Sequence, residues 1–132
     1  MILLYKGGVK MNKTLNEKMA EVMGWKYLEV PNVVADGFSC GYTTEKGEWI
    51  NKTDWHPADN YPDSLSQAMM CVEKFCNIYK KHSVEIYMTD NGFDVWIEKM
   101  YDKQFCITQN EYSKLPLAIC EAILEAMEID ND

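Results

Sequence analysis

A chain of 132 residues, 47% apolar with eight tyrosines and four tryptophans, is sized for one folded domain with a packed core, which argues against global disorder. Its formal charge of −8, pI near 4.7 and thirteen lysines without one arginine oppose phosphate-backbone binding and remove the bidentate guanidinium from its chemistry, so nucleic acid is not an expected partner. No stretch approaches the roughly 18 uncharged apolar residues of a membrane span, and "MILLY" is too short for a signal-peptide core, so no membrane association and a cytoplasmic location are expected.

The chain begins with a puzzle. In "KGGVKMN" (Lys6 to Asn12), Lys6-Gly7-Gly8 can be encoded AAA GGA GGU, a ribosome-binding sequence just upstream of Met11. That reading makes residues 1–10 a peripheral upstream extension and 11–132 the single domain; otherwise "ILLY" is a short edge strand. Thr14-Leu15-Asn16-Glu17 then forms a T-x-x-E capping box, opening a helix over about residues 15–23 with Leu15, Met19, Val22 and Met23 on its apolar face. Gly24 stands where a C-terminal cap belongs.

From Lys26 to Asn60 the pattern weakens. "FSCGY" (Phe38 to Tyr42) and "EWI" (Glu48 to Ile50) suit a hairpin around Glu45-Lys46-Gly47. The stretch "WINKTDWHPADNYPDS" (Trp49 to Ser64) leads into Ser64-Leu65-Ser66-Gln67, an S-x-x-Q capping box before an amphipathic helix over about 65–81. His82, just beyond it, suits the helix C-terminus, where a cation complements the dipole. A meander follows: "VEIYMT" (Val84 to Thr89) and "FDVWIEK" (Phe93 to Lys99) alternate around Asn91-Gly92, with "QFCIT" (Gln104 to Thr108) third. Val84, Ile86, Met88, Phe93, Val95, Ile97, Phe105 and Ile107 share one face. Tyr87, Trp96 and Cys106 share the other, so some cover is expected on both. Pro116 suits the first turn of a last helix over about 116–129. Leu117, Cys120, Leu124 and Met127 point inward there, widened by Ile119 and Ile123, and Glu121, Glu125 and Glu128 form an acidic ladder outward. Continued by Asp130 and Asp132, the ladder leaves a DNA-mimic reading open, although a solvated helix face is simpler.

Chemistry is easier to subtract than to add. Five cysteines without a C-x-x-C read as small buried thiols, and Cys71 and Cys76 point to different sides of a helix. No nucleophile elbow, P-loop, H-E-x-x-H or dinucleotide fingerprint occurs. Asp54, His56 and Asp59 could act as acid–base groups or metal ligands, but D-x-H-x-x-D in a proline-broken loop does not ensure convergence. Neither catalysis, a cofactor nor a metal is expected. As a ligand site the same stretch is better equipped. Trp49, Trp55 and Tyr61 can stack a base or ribose; Lys52 and the helix start at Ser64 can meet a phosphate. Against this, a tryptophan beside a helix start more often caps a small core, and Tyr61 before Pro62 suits a hydrophobic staple.

Three local patterns carry a resemblance. "LNEKMAEVMGW" (Leu15 to Trp25), "PADNYPDSLSQAMMCVEK" (Pro57 to Lys74) and "LPLAICEAILEAME" (Leu115 to Glu128) resemble the opening, middle and final helices of the phage ABA-sandwich domain family over about residues 14–128. Pro62-Asp63-Ser64 replaces the family's usual Ser-Thr-Asp. The resemblance implies an α+β fold and a phage or prophage setting, and no defining enzymatic activity. The expected architecture is an α-β-α sandwich, an antiparallel sheet (three-stranded meander plus hairpin) covered by three helices. The expected function is sequestration of a small nucleotide-derived signal by Trp49, Lys52, Trp55, His56, Tyr61 and Ser64, in a homo-oligomer whose interfaces complete the pocket. The alternative is an acidic protein-interaction module that blocks a host protein. The first requires those side chains to converge on a concave pocket. The second requires that region to pack tightly and exposed aromatics to lie on a flat patch.

Overall fold

A computed structural model describes residues 13–31, 38–99, 104–109 and 111–131. The expected upstream extension and the alternative "ILLY" strand lie outside these residues, as does Asp132.

Helix α1 (Leu15–Val22) starts at the expected capping box: Thr14 Oγ1 accepts from Glu17 N at 3.2 Å, and Glu17 Oε1 accepts from Thr14 N at 3.0 Å. It ends in a Schellman turn. Gly24 N donates to Glu21 O, Trp25 N donates to Ala20 O, and Gly24 takes φ +82°, a conformation that costs glycine little. The reversal turns Trp25 inward beside the buried Met19, Ala20 and Val22.

The next strand has no sequence signature. β1 (Lys26–Pro31) is exposed along its whole length, so no alternation marks it. It is held by antiparallel pairing to β2 (Phe38–Thr43), which pairs in turn with β3 (Trp49–Asn51). The expected hairpin is present, with Gly47 at φ +84° and Gly47 N donating to Thr44 O. It belongs to a separate three-stranded sheet, not to the meander.

Helix α2 (Ser64–Ile78) forms without its expected capping box. Asp63 is the N-cap residue and makes no side-chain cap bond, while Ser64 is already helical, its Oγ accepting from Tyr61 N at 3.1 Å. Gln67 cannot reach back because its amide holds the preceding loop. His82 also departs from expectation: α2 ends at Ile78, and His82 opens β4 with its ring against Phe75 (5.2 Å) and Tyr79 (5.6 Å).

The meander forms as β4 (His82–Thr89), β5 (Gly92–Lys99) and β6 (Gln104–Gln109). Its first turn sits one residue earlier than expected, on Asp90-Asn91, with Thr89 paired to Gly92. A turn on Asn91-Gly92 would place Asp90 opposite Phe93 on the apolar face, a register the carboxylate opposes. Phe93, Val95 and Ile97 are fully buried; Val84, Ile86 and Ile107 pack beside them. Met88 departs from this, 59% exposed near the end of its strand, and the side chain of Phe105 lies outside what the structure describes.

Helix α3 (Leu115–Asn131) lies across β5 and β6 and against α1 and α2. Its buried arc is Ala118, Ile119, Cys120, Ala122, Ile123 and Ala126, which includes the expected Ile119, Cys120 and Ile123, while the expected Leu117, Leu124 and Met127 are half-buried. The alanines, facing a partner with Ala68 in its core, let helix backbones approach closely. Glu121, Glu125 and Glu128 point to solvent as expected. Among the described residues, three helices and six antiparallel strands thus form an α+β sandwich around one apolar cluster. The outer face of β4–β6 is covered only in part: Trp96 and Cys106 are half-buried there, and Tyr87 is 51% exposed.

Candidate functional site

The stretch from Lys52 to Asp63 is irregular yet firmly tied. A short 3-10 turn (Lys52–Asp54) delivers Trp55 into the core, where it is 3% exposed and meets Trp25 edge-on at 4.5 Å. Two side-chain amides organise the rest. Asn16 on α1 donates from Nδ2 to Asp59 Oδ2 (3.0 Å) and accepts from Ala58 N at Oδ1 (2.9 Å), and its carbonyl accepts from Trp55 Nε1 (2.9 Å). Gln67 on α2 accepts from His56 N (2.8 Å) and donates to Asp54 O (2.7 Å). Asn16→Ala leaves the part-buried Ala58 N–H without its acceptor. We expect a loss of about 1–3 kcal/mol, measured by urea unfolding.

Local packing separates the expected site residues. Trp49 lies across Gly41 and donates from Nε1 to Asn51 Oδ1 at 2.7 Å. His56 Nε2 is 2.5 Å from Asp63 Oδ1, its Nδ1 is 3.2 Å from Thr53 O, and its ring meets Tyr61 at 4.6 Å. The His56 ring holds the Asp63 carboxyl below its ordinary range. Tyr61 is 57% exposed and touches His56, so it does not serve as a staple; Ser64 is fully buried. Asp54, His56 and Asp59 do not converge: Asp59 is engaged by Asn16 and His56 by Asp63. Among the described residues no three His, Cys, Asp or Glu side chains are grouped to hold a metal.

Lys52 and Trp55 do share a concavity. A groove of about 370 Å³ runs between α1 and the loop, lined by Thr14, Glu17, Tyr42, Lys52, Trp55 and Asp59 among others. A second, of about 340 Å³, continues past Tyr42 and Glu17 to Lys13, Glu21, Trp25, Lys26 and Tyr27. Trp49, His56, Tyr61 and Ser64 line neither groove. The floor is a chain of rings, Trp55–Trp25–Tyr42–Tyr27, of which only Tyr27 is substantially exposed, at 41%. Lys52 Nζ stands 5.6 Å above the Tyr27 ring, whose hydroxyl donates to Glu29 at 3.0 Å.

The electrostatics are mixed. Burial, reinforced by Glu17 and Glu21, pushes the Tyr42 hydroxyl up to about 12, so it stays protonated and able to donate. Burial also raises Glu17, but hydrogen bonds from Thr14 and the charges of Lys52 and Lys13 outweigh it and hold the carboxyl below its usual value. Lys13 pairs with Glu21. Away from the grooves, burial raises the Cys71 thiol to about 12 and Cys120 further, so both remain inert thiols at neutral pH.

Sequence reasoning reached Lys52 and Trp55 but missed Asn16, Tyr27 and Tyr42. Asn16 reads as an ordinary polar position in a first helical turn, and β1 carries no pattern that would draw attention to Tyr27. Glu17 is visible only as a cap.

No helix among the described residues is long and apolar enough to cross a membrane. A family model described as the phage ABA sandwich domain matches residues 18–124. No curated protein and no solved structure gives a significant match.

Proposed function

Because the chain belongs to the phage ABA sandwich domain family, we propose that it is a non-catalytic phage protein that sequesters a small nucleotide-like molecule, with the double groove along α1 as its site. The observation that supports this reading is that the two grooves meet at Tyr42 and Glu17, bringing an exposed ring (Tyr27), a buried phenol donor (Tyr42) and two cations (Lys26, Lys52) onto one concave surface. Each groove falls at the lower end of the range of about 300–1,000 Å³ for small-molecule sites. The proposed site is therefore Lys52 and Trp55 with Tyr27 and Tyr42, and Trp49, His56, Tyr61 and Ser64 lie outside it.

The charge balance narrows the ligand. Glu17, Glu21 and Asp59 stand close to the lysines, so a polyphosphate meets repulsion where a ligand with one ring and one anionic group does not. The proposed targets are signals of that class released by bacterial defence systems, a reading that rests on the phage setting of the family. A second copy closing over the grooves fits the proposed homo-oligomer, and solution mass checks that point directly. The competing reading, an acidic module that blocks a host protein, draws on a different surface, the outer face of β4–β6.

Thermal shift across cyclic mononucleotides and nucleoside monophosphates, with ADP-ribose derivatives as the diphosphate contrast expected to bind more weakly, tests the groove. A ligand at a hundred times its Kd stabilises by about 2.7 kcal/mol. Tyr42→Phe and Lys52→Ala should each weaken binding about tenfold, whereas His56→Ala and Tyr61→Ala should leave it within about twofold. Equal losses at His56 and Lys52 would return the site to the loop. No shift with any member of the panel would remove the reading.

A further inference from the structure

The outer face of the β4–β6 sheet is built from few residues, and their pairing fixes its layout. Glu85, Trp96 and Cys106 stand in one cross-strand row, with Tyr87, Asp94 and Thr108 on one side and Ser83 opposite Glu98 on the other. Trp96 is thus central. Asp94 and Glu98 flank it along β5 at the two-residue repeat, about 6.6–6.8 Å away on each side. Glu85 lies directly across from it, held by the Tyr87 hydroxyl, which donates to Glu85 Oε2 at 3.0 Å. Register places His82 and Lys99 on the opposite face, so no cation projects from this face among the described residues of the three strands.

We infer that this face docks an extended arginine- or lysine-bearing segment of another protein, with cations at every second residue meeting Asp94, the Trp96 ring and Glu98 in turn. The occupant follows from charge and spacing. An indole face attracts a cation, and carboxylates on both sides complete its surroundings. A segment running along β5 has the same period as the strand beneath it, so its alternate side chains arrive in step. A second copy of this chain fits poorly: the same face would set Glu85, Asp94 and Glu98 against their equivalents, and there is no arginine to bridge them. This surface is formed by different residues from the groove, so neither proposal depends on the other.

The probe is a short fluorescein-labelled peptide of alternating arginine and serine, with fluorescence polarisation as the readout. Trp96→Phe, which keeps an aromatic face, should hold affinity within about threefold, and Trp96→Leu, which keeps only apolar area, should weaken it about tenfold. Glu98→Gln should weaken it about threefold. Two controls fix the location: the triple Glu121→Gln, Glu125→Gln, Glu128→Gln variant on α3 and Tyr42→Phe in the groove should each stay within about twofold. Near-UV circular dichroism confirms that each variant is folded. The inference is overturned if folded Trp96→Leu binds like the wild type. It is equally overturned if the α3 variant loses as much as Glu98→Gln, which would mean diffuse attraction. A wild-type oligomer that Trp96→Leu dissociates, with no peptide bound, would assign the face to a second copy instead.

Discussion

Replacing Trp55 with alanine is expected to lower stability by about 3–5 kcal/mol, the range for removing a buried aromatic from a core. The side chain is 3% exposed, lies edge-on to Trp25 and donates to the Asn16 carbonyl. Its loss empties the junction where α1, the loop and β2 meet. Trp55→Phe separates the contributions: the ring contact with Trp25 is largely kept, the hydrogen bond is lost, and the cost falls to about 1–2 kcal/mol. Urea unfolding at constant m value measures both. A Trp55→Ala protein as stable as the parent would mean that the tryptophan is not part of the core, and the groove wall it forms would have to be redrawn.

Gly41→Ala should destabilise by about 1–3 kcal/mol even though it adds one methyl group. A Cβ at Gly41 would lie 2.4 Å from the Ile50 carbonyl oxygen and 2.5 Å from the Trp49 ring. The first obstacle is backbone, which cannot rotate away, so β2 and β3 must separate locally. Gly47 provides the contrast. Its φ is +84° but a Cβ there meets nothing within 4 Å, so Gly47→Ala carries only the backbone strain of a left-handed residue, about 1 kcal/mol. Trp49 fluorescence should report the Gly41 change, because the ring must leave its seat. An unchanged midpoint and spectrum for Gly41→Ala would contradict the close approach of Trp49.

Elements whose periodicity comes from burial were legible in the sequence: α1 with its capping box, the meander strands, and the acidic ladder of α3. β1 was not, because every residue from Lys26 to Pro31 is exposed and the strand exists only through pairing with β2. The S-x-x-Q motif misled for a related reason. Gln67 has the right spacing for a capping box, but tertiary structure offers it His56 N and Asp54 O instead. The candidate site was half legible for the same reason. Aromatic and charged residues concentrated in one loop identify the region, but local sequence cannot say which side chains the fold turns inward. Asn16, 39 residues before Trp55, settles that through contacts no local pattern encodes. Tyr87 and Trp96 show the converse. Their alternation suggests a covered second face, yet Trp96 is only half-buried and Tyr87 is half exposed.

The most direct test of the groove is to purify the protein from bacteria with an active nucleotide-signalling defence, denature it, and identify the released small molecules by mass spectrometry. A near-stoichiometric nucleotide-like species, present with His56→Ala and depleted with Tyr42→Phe, is the expected result. An empty wild-type protein from cells in which the signal is abundant would contradict sequestration in the groove.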